Sequence, residues 1–157
     1  MASSQWVMLV YRLPRTPSTP RITLWRKLRR LGVVQIVDGV VALPANPDTR
    51  EQLEWLADEV VQAGGEATIW LSQPATRAQH RALAQAMTDR IDSEYSKVAA
   101  QARDAEHLSP VERRRTLARL RRELRKVSRR EHFPSGEARG ARAAVEALAK
   151  ATAEAAA

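Results

Sequence analysis

The residues whose type and spacing most clearly indicate a function are the cations that lie between Ser109 and His132. This stretch holds ten lysines and arginines against three acids, and the whole chain carries a formal net charge of +8. Nine of the ten are arginines, whose planar guanidinium matches phosphate oxygens and base edges with two hydrogen bonds at once. A local excess of this kind predicts an anionic partner.

Helical spacing separates these cations from the apolar residues of the same stretch. At 100° per residue the apolar residues share one side: Leu117, Leu120, Leu124 and Val127. The opposite side carries the residues that we predict to contact DNA: Arg115, Arg119, Arg122, Arg125, Lys126 and Arg129. This side is about 20 Å long, comparable to several phosphate spacings of a duplex. We therefore expect the helix to pack through its apolar edge and to bind duplex DNA through its cations.

A solvated helix face without a partner is the plainer interpretation of the same residues. Such faces usually mix both signs of charge, because opposite charges four residues apart stabilise a helix and like charges weaken it. Here Arg115 and Arg119 are a like-charged pair at that spacing, and so are Arg122 and Lys126. The anionic partner is the interpretation that we favour.

A second basic group lies on the first predicted helix of the chain. Its members are Arg26, Lys27, Arg29 and Arg30, which point away from the apolar Leu24, Trp25, Leu28 and Leu31. Taken alone, this is the ordinary polar face of an amphipathic helix, and Lys27 or Arg26 could pair with acids nearby. We include Arg26, Lys27 and Arg30 among the predicted DNA contacts, on condition that they lie in one plane with the longer basic helix.

Patterns typical of catalysis or metal binding are weak. The chain has no cysteine, and His80, His107 and His132 lie far apart without HExxH spacing. No serine occurs in a G-x-S-x-G context. We expect no enzyme activity, no catalytic residue, no metal site and no cofactor. Aromatic residues make up 4% of the chain, which argues against recognition of single strands by base stacking.

Strand and helix signals alternate in the first half of the chain. Apolar runs of strand length lie at residues 6–11, 33–37, 40–43 and 66–71. Asp38-Gly39 is typical of a tight hairpin turn between the middle two runs. The order β-α-β-β-α-β predicts a ferredoxin-like α+β domain over residues 1–73, in which two helices cover one face of an antiparallel sheet. The other face then needs a cover or a partner, such as a second copy of the chain.

The two helices of this domain have recognisable starts. Pro20 is predicted to open the first helix with Thr19 as its N-cap, and Asn46 to cap the second. Trp25 and Trp70 are interpreted as core residues. Trp55 falls off the apolar face of its helix and is interpreted as a partly exposed packing residue.

From Pro74 onward the chain shows helical spacing and no strand signal, which predicts a helical region over residues 74–157. A long helix is expected over residues 74–104. Ser109-Pro-Val-Glu112 is a capping box that opens the basic helix, residues 110–131. An Ala-rich helix follows from about Glu137, and we expect these helices to form a hairpin or bundle.

The chain offers no sign of a membrane or secretory protein. No apolar run approaches the roughly 20 residues that span a bilayer. The first residues lack the charged start and apolar stretch of a signal peptide. Cytoplasmic location is therefore predicted, with no membrane partner.

Several short stretches of the first half carry a family resemblance: Tyr11-Arg-Leu-Pro14, Arg21, Leu24-Trp-Arg-Lys-Leu28, Leu31-Gly32, Asp38-Gly-Val40, Leu43-Pro44 and Gly64-Gly-Glu-Ala67. They resemble the N-terminal domain of the chromate resistance protein ChrB, a bacterial regulator. The resemblance implies a DNA-binding transcriptional regulator of chromate resistance. It also suggests an oxyanion such as chromate as effector, and we expect a homodimer on a palindromic site.

Two other functions are compatible with parts of the same sequence. The strand and helix pattern also resembles small CRISPR-associated proteins that carry a metal-binding Asp at the end of the first strand, but here that end reads Tyr11-Arg12. A metal-dependent nuclease would therefore lack its ligand. The main alternative is a non-catalytic interaction module whose basic helix docks on an acidic partner or on a further C-terminal domain.

Overall fold

The computed structural model of the chain describes residues 4–156. Within that range the protein is mixed α+β, with one four-stranded antiparallel sheet and five α-helices. The strands are β1 Trp6–Arg12, β2 Val34–Val37, β3 Val40–Pro44 and β4 Glu66–Ser72. The helices are α1 Thr19–Leu31, α2 Pro47–Gln62, α3 Arg77–Asp104, α4 Pro110–Arg129 and α5 Ala138–Ala156, with a 3-10 turn at Ala105–His107.

The chain divides into two compact units, one ending at Met87 and the other beginning at Thr88, so α3 contributes to both. The sequence had suggested a division at residues 73 and 74. The first turns of α3 belong with the sheet because the indole Nε1 of buried Trp6 donates a 3.0 Å hydrogen bond to Nδ1 of His80. The two rings also meet edge to face, with centroids 5.7 Å apart. The boundary predicted from the sequence rests on the change from a strand pattern to a helix pattern, and that change carries no information about a contact between β1 and α3.

The sheet of the first unit has the strand order β2-β3-β1-β4. Side chains alternate between its two faces, and the register places Val7 and Leu9 of β1 beside Leu43 and Val41 of β3. All four are fully buried on one face, and α2 contacts both β1 and β4. The opposite face is more open: Met8 of β1 is half-buried there.

Two tryptophans that the sequence placed in the core are exposed. Trp70 is 55% exposed on the open face of edge strand β4, where its Nε1 donates a 2.8 Å hydrogen bond to Oγ1 of Thr68. Trp25 is 39% exposed on the outward side of α1. Both predictions were wrong. They relied on the general preference of tryptophan for buried positions, whereas the strand register of β4 and the helical phase of α1 determine whether these two side chains are buried. Trp55 is exposed on α2.

The hairpin between β2 and β3 is closed as predicted by Asp38-Gly39. Gly39 has φ +77°, a left-handed conformation that glycine adopts without strain. Its carbonyl accepts a 2.8 Å hydrogen bond from the backbone N–H of Tyr11, and a Cβ at this position would lie 2.5 Å from the Tyr11 carbonyl oxygen. Two features of the structure therefore require glycine at position 39: the left-handed backbone of the turn and the close approach to the end of β1.

The structure confirms the N-cap predicted for α2 but not the N-cap predicted for α1. Asn46 caps α2: its Oδ1 accepts from the Thr49 N–H at 2.9 Å, and Thr49 Oγ1 accepts from the Asn46 N–H at 3.0 Å. The predicted cap at Thr19 is wrong, because Thr19 is already helical and Ser18 takes the cap position without a side-chain hydrogen bond. Pro20 in the first turn fixes the backbone there without that bond.

The second unit has its own core, to which α3, α4 and α5 all contribute. Ile91, Tyr95 and Val98 come from α3, and α5 adds Val145 and Leu148. The contribution of α4 consists of Leu117, Leu120 and Val127, with Leu124 packed against the cluster. The apolar edge predicted from helical spacing is therefore the buried edge of α4.

Candidate nucleic-acid interface

The basic helix begins at a reciprocal capping box, as its sequence predicts. The Glu112 N–H donates to Ser109 Oγ at 3.3 Å, and the Ser109 N–H donates to the Glu112 carboxylate at 3.2 Å. Pro110 occupies the first helical position, where no N–H is needed. The Glu112 carboxylate also lies in the first turn, where it interacts favourably with the helix dipole. These contacts fix the start of α4 at Pro110.

The orientation of α4 about its axis is set by its buried residues. Leu120 and Val127 are fully buried and Leu117 is nearly so. Any rotation that turned the cations inward would expose these side chains and bury guanidinium groups, which is strongly unfavourable. The side of α4 opposite the core is therefore held toward solvent.

All six predicted cations of α4 are exposed on that side: Arg115, Arg119, Arg122, Arg125, Lys126 and Arg129. Among residues 4–156, none of the six has a carboxylate within 4.0 Å. Arg119 donates a 2.9 Å hydrogen bond to the amide oxygen of Gln101, which orients the side chain but leaves its charge uncompensated. The structure thus brings these six residues together on one surface, which we call the α4 cationic face.

Two other arginines of the basic stretch serve the interior of the second unit. Arg130 forms a 2.6 Å ion pair with Glu94 of α3, and both side chains are largely shielded from solvent. Arg113 lies nearer the apolar edge, and its Nε is buried without a hydrogen-bond partner among the described residues. Neither belongs to the α4 cationic face.

The end of α4 is anchored to α3 by further polar contacts. The phenol of buried Tyr95 donates a 3.1 Å hydrogen bond to the Glu131 carboxylate, whose other oxygen accepts from the Ser135 N–H at 2.9 Å. Ser135 Oγ also donates to Asp92. Burial and the adjacent Glu131 carboxylate raise the pKa of Tyr95, partly opposed by Arg142. The phenol therefore stays protonated and keeps donating at neutral pH.

The predicted cations of α1 lie in the first unit, where their surroundings differ. Lys27 is held by both carboxylate oxygens of Glu59, each 2.8 Å from its Nζ, so its charge is compensated. Arg30 is exposed. Arg26 lines a groove with Arg21 and Arg29, neither of which the sequence selected as a site residue. Arg21, Arg26 and Arg29 follow one another along α1 at intervals of five and three residues. That spacing could have indicated that the three lie on one side of the helix.

Metal centres and membrane spans were searched for among residues 4–156. No group of three or more His, Asp or Glu residues between residues 4 and 156 is placed to hold a metal ion. None of the helices formed within that range is long and apolar enough to cross a membrane.

Comparisons with known proteins place the chain in a family. The profile described as "Protein ChrB, N-terminal" matches residues 21–157. The chain belongs to the ChrB N-terminal family. Protein ChrB of Cupriavidus metallidurans is 36% identical to it over 92 residues, which are 58% of this chain and 28% of that protein. The chain thus aligns with a little over a quarter of the length of that ChrB.

The fold is similar to that of a solved structure from a mycobacterium. The uncharacterized protein Rv0674 from Mycobacterium tuberculosis superimposes with a TM-score of 0.58 at 16% sequence identity. The match covers 96% of this ChrB-family chain and 61% of the other chain. At this identity the likeness concerns the fold alone.

Proposed function

We propose that the chain is a non-catalytic, cytoplasmic DNA-binding regulator of the ChrB type, which binds duplex DNA through the α4 cationic face and acts in chromate resistance. One observation carries the DNA part of the proposal. Six exposed cations lie on one side of a capped helix whose opposite side is buried, and no carboxylate in the described range neutralises them. Membership of the ChrB N-terminal family supports the link to chromate resistance.

The chemistry of the face suits a duplex. Each guanidinium that reaches a phosphate releases condensed counterions, which supplies affinity that is independent of sequence. Arginine can also donate two hydrogen bonds to O6 and N7 of guanine in the major groove, whose width of about 12 Å admits a helix. We assign phosphate contacts to most of the face and base contacts to a few arginines.

Fluorescence anisotropy of a labelled duplex across a salt series tests this function. Binding is expected to weaken linearly on a logarithmic scale as salt rises, because each phosphate contact displaces counterions. Competition by unlabelled duplex should exceed competition by the same charge concentration of heparin. A chain that shows no salt-dependent duplex binding would instead support docking of α4 on an acidic protein partner.

An oxyanion effector is the second part of the proposal. Chromate is a divalent tetrahedral anion that competes with phosphate for arginine. We expect chromate to lower duplex affinity, whereas added sodium chloride at equal ionic strength should have a smaller effect. Unchanged affinity at constant ionic strength would remove chromate from the proposal and leave DNA binding intact.

We also propose a homodimer, a ferredoxin-like first unit and a helical bundle for the second. The open sheet face with exposed Trp70, or the long helix α3, would supply the dimer contact. The element order β-α-β-β-α-β supports the ferredoxin-like assignment, and the shared core of α3, α4 and α5 supports the bundle. Light scattering tests the dimer, and a monomeric mass with unchanged DNA affinity contradicts it.

A further inference from the structure

An open groove of about 890 Å³ lies in the first unit, on the outward side of α1. Three segments line it: the end of β1 at Tyr11–Leu13, the β2–β3 hairpin with Asp38 and Gly39, and one side of α1. Ligand sites commonly fall in the range of roughly 300–1,000 Å³. The groove therefore has the size of a site for a small organic molecule.

The α1 side of the groove combines apolar and cationic surface. Ile22 and Trp25 are both exposed there, at 50% and 39%, between Arg21 and the pair Arg26 and Arg29. At 100° per residue the five residues fall within a sector of about 140° on α1. All five are exposed whereas Leu24 and Leu28 are buried, so α1 packs through one side and presents another to the groove. The exposed part of the Trp25 indole offers apolar surface to a ligand beside these guanidinium groups.

The charge of the groove is unbalanced toward positive. Four arginines and one aspartate line it. Arg12 has a partner in Glu66, at 3.3 Å between two exposed side chains. Arg21, Arg26 and Arg29 have no carboxylate within 4.0 Å among the residues that the structure describes. An anionic ligand would satisfy these donors.

Tyr11 adds a hydrogen-bond donor at the end of the groove. Burial raises the pKa of its phenol, an effect that Arg21 opposes and Asp38 reinforces, so the phenol is protonated at neutral pH. A protonated phenol next to guanidinium groups can donate to a phosphate oxygen. The Gly39 contact with the Tyr11 backbone holds the end of β1 against the hairpin, so this donor stands on a fixed backbone.

We propose that this groove binds a nucleoside phosphate, with the base on Trp25 and Ile22 and the phosphates on Arg21, Arg26 and Arg29. An aromatic ring joined to phosphates is the ligand class that uses an exposed indole and uncompensated arginines together. Such a nucleotide comes either free in solution or as part of a nucleic-acid strand. The inference stands apart from duplex binding by α4, which lies in the other unit.

Calorimetric titration of the full chain with ADP tests the groove, with adenosine and inorganic phosphate as the two partial ligands at constant ionic strength. ADP is expected to bind at least tenfold more tightly than either partial ligand, because only ADP uses both surfaces. The double substitution Arg26→Ala with Arg29→Ala should weaken ADP binding at least tenfold, through loss of charge-assisted hydrogen bonds. The matched control is Arg77→Ala with Arg81→Ala, which removes the same charge at exposed positions of the first unit outside the groove and should leave ADP affinity unchanged.

Trp25→Ala separates the two surfaces and should weaken ADP binding at least fivefold while leaving phosphate binding as it was. Circular dichroism verifies that each variant is folded, and the arginine variant carries the test alone if Trp25→Ala unfolds. Absence of ADP binding would overturn the proposal. Equal losses of ADP affinity in the Arg26/Arg29 variant and in the Arg77/Arg81 control would also overturn it. Phosphate binding as tight as ADP binding would also overturn it, because the base would then contribute nothing.

A short oligothymidine distinguishes the two sources of the nucleotide. It is titrated into a variant that carries Arg122→Glu and Lys126→Glu, which weakens the contribution of α4, and the part of the binding that the groove supplies is the part lost with Arg26→Ala and Arg29→Ala. Tighter binding of the oligonucleotide than of ADP, lost with Arg26→Ala and Arg29→Ala, assigns the groove to a strand. The reverse order of affinity assigns it to a free nucleotide, and both results support the proposed chemistry.

Discussion

Reversal of two charges at the centre of the α4 cationic face, Arg122→Glu with Lys126→Glu, is expected to weaken duplex binding and to reduce its dependence on salt. Both side chains are exposed and opposite the buried edge formed by Leu120 and Val127. Surface substitutions of this kind change stability by about 0.5 kcal/mol or less, so the fold should persist. Any loss of DNA binding then reflects the surface itself.

The magnitude follows from the number of cations on the face. If all six reach phosphates, the slope of log K against log salt is about −0.9 for each, or roughly −5.4 in total. Affinity then falls about two-thousandfold between roughly 50 and 200 mM salt. Without Arg122 and Lys126 the slope is about −3.6, and the same change in salt costs only about 150-fold.

Anisotropy of a labelled duplex over this salt range measures both slopes. The matched control is Arg139→Glu with Lys150→Glu on α5, which changes the net charge equally at exposed positions. The control should keep a slope near that of the native chain. A slope that stays the same in the α4 variant, or falls equally in the α5 variant, would refute the assignment of DNA contacts to α4.

Three further predictions concern stability. Leu120→Ala should reduce the free energy of unfolding by about 2–5 kcal/mol, because Leu120 is fully buried in the core of the second unit. Urea denaturation measures this loss. A smaller loss would contradict the prediction and show that the core closes over the cavity. Gly65→Ala should cost about 3 kcal/mol, because its Cβ would lie 2.3 Å from the Arg12 carbonyl oxygen. Gly64→Ala, whose φ is +88° but whose Cβ meets nothing within 4 Å, should cost only about 1–2 kcal/mol in the same assay, and the opposite order would contradict the structure. Because folding raises the pKa of Tyr95 above 10.0, its contribution to stability is complete below about pH 10 and is lost as pH rises through the folded value. Tyr95→Phe should therefore lose less stability than the native chain between about pH 9 and 11, and equal losses would show that this phenol does not control the alkaline transition.

The sequence predicted local features well where one chemical pattern determined them. The Asp38-Gly39 turn and the caps at Asn46 and Ser109 depend on neighbouring residues alone. The burial of Leu120 and exposure of the cations beside it follow from helical spacing once the helix has a core to pack on.

Features that depend on distant residues were harder to predict. The exposure of Trp70 follows from the position of β4 at the sheet edge, which strand pairing alone determines. The sequence allows Lys27 to pair with a nearby acid, but only the packing of α1 and α2 identifies Glu59 as that acid. The α1 groove requires the end of β1, the hairpin and α1 to meet, and no single stretch of sequence contains that information.

The polar contacts at the end of α4 have a consequence for the thermodynamics of binding. Arg130 on Glu94 and Tyr95 on Glu131 fix the last turn, while Ser109 and Glu112 fix the first. For the DNA binding that we propose, the helix is thus ordered before association, unlike a basic arm that folds as it binds and loses conformational entropy. Calorimetry should therefore show only a small negative change in heat capacity on association, set by the apolar surface buried at the contact rather than by folding.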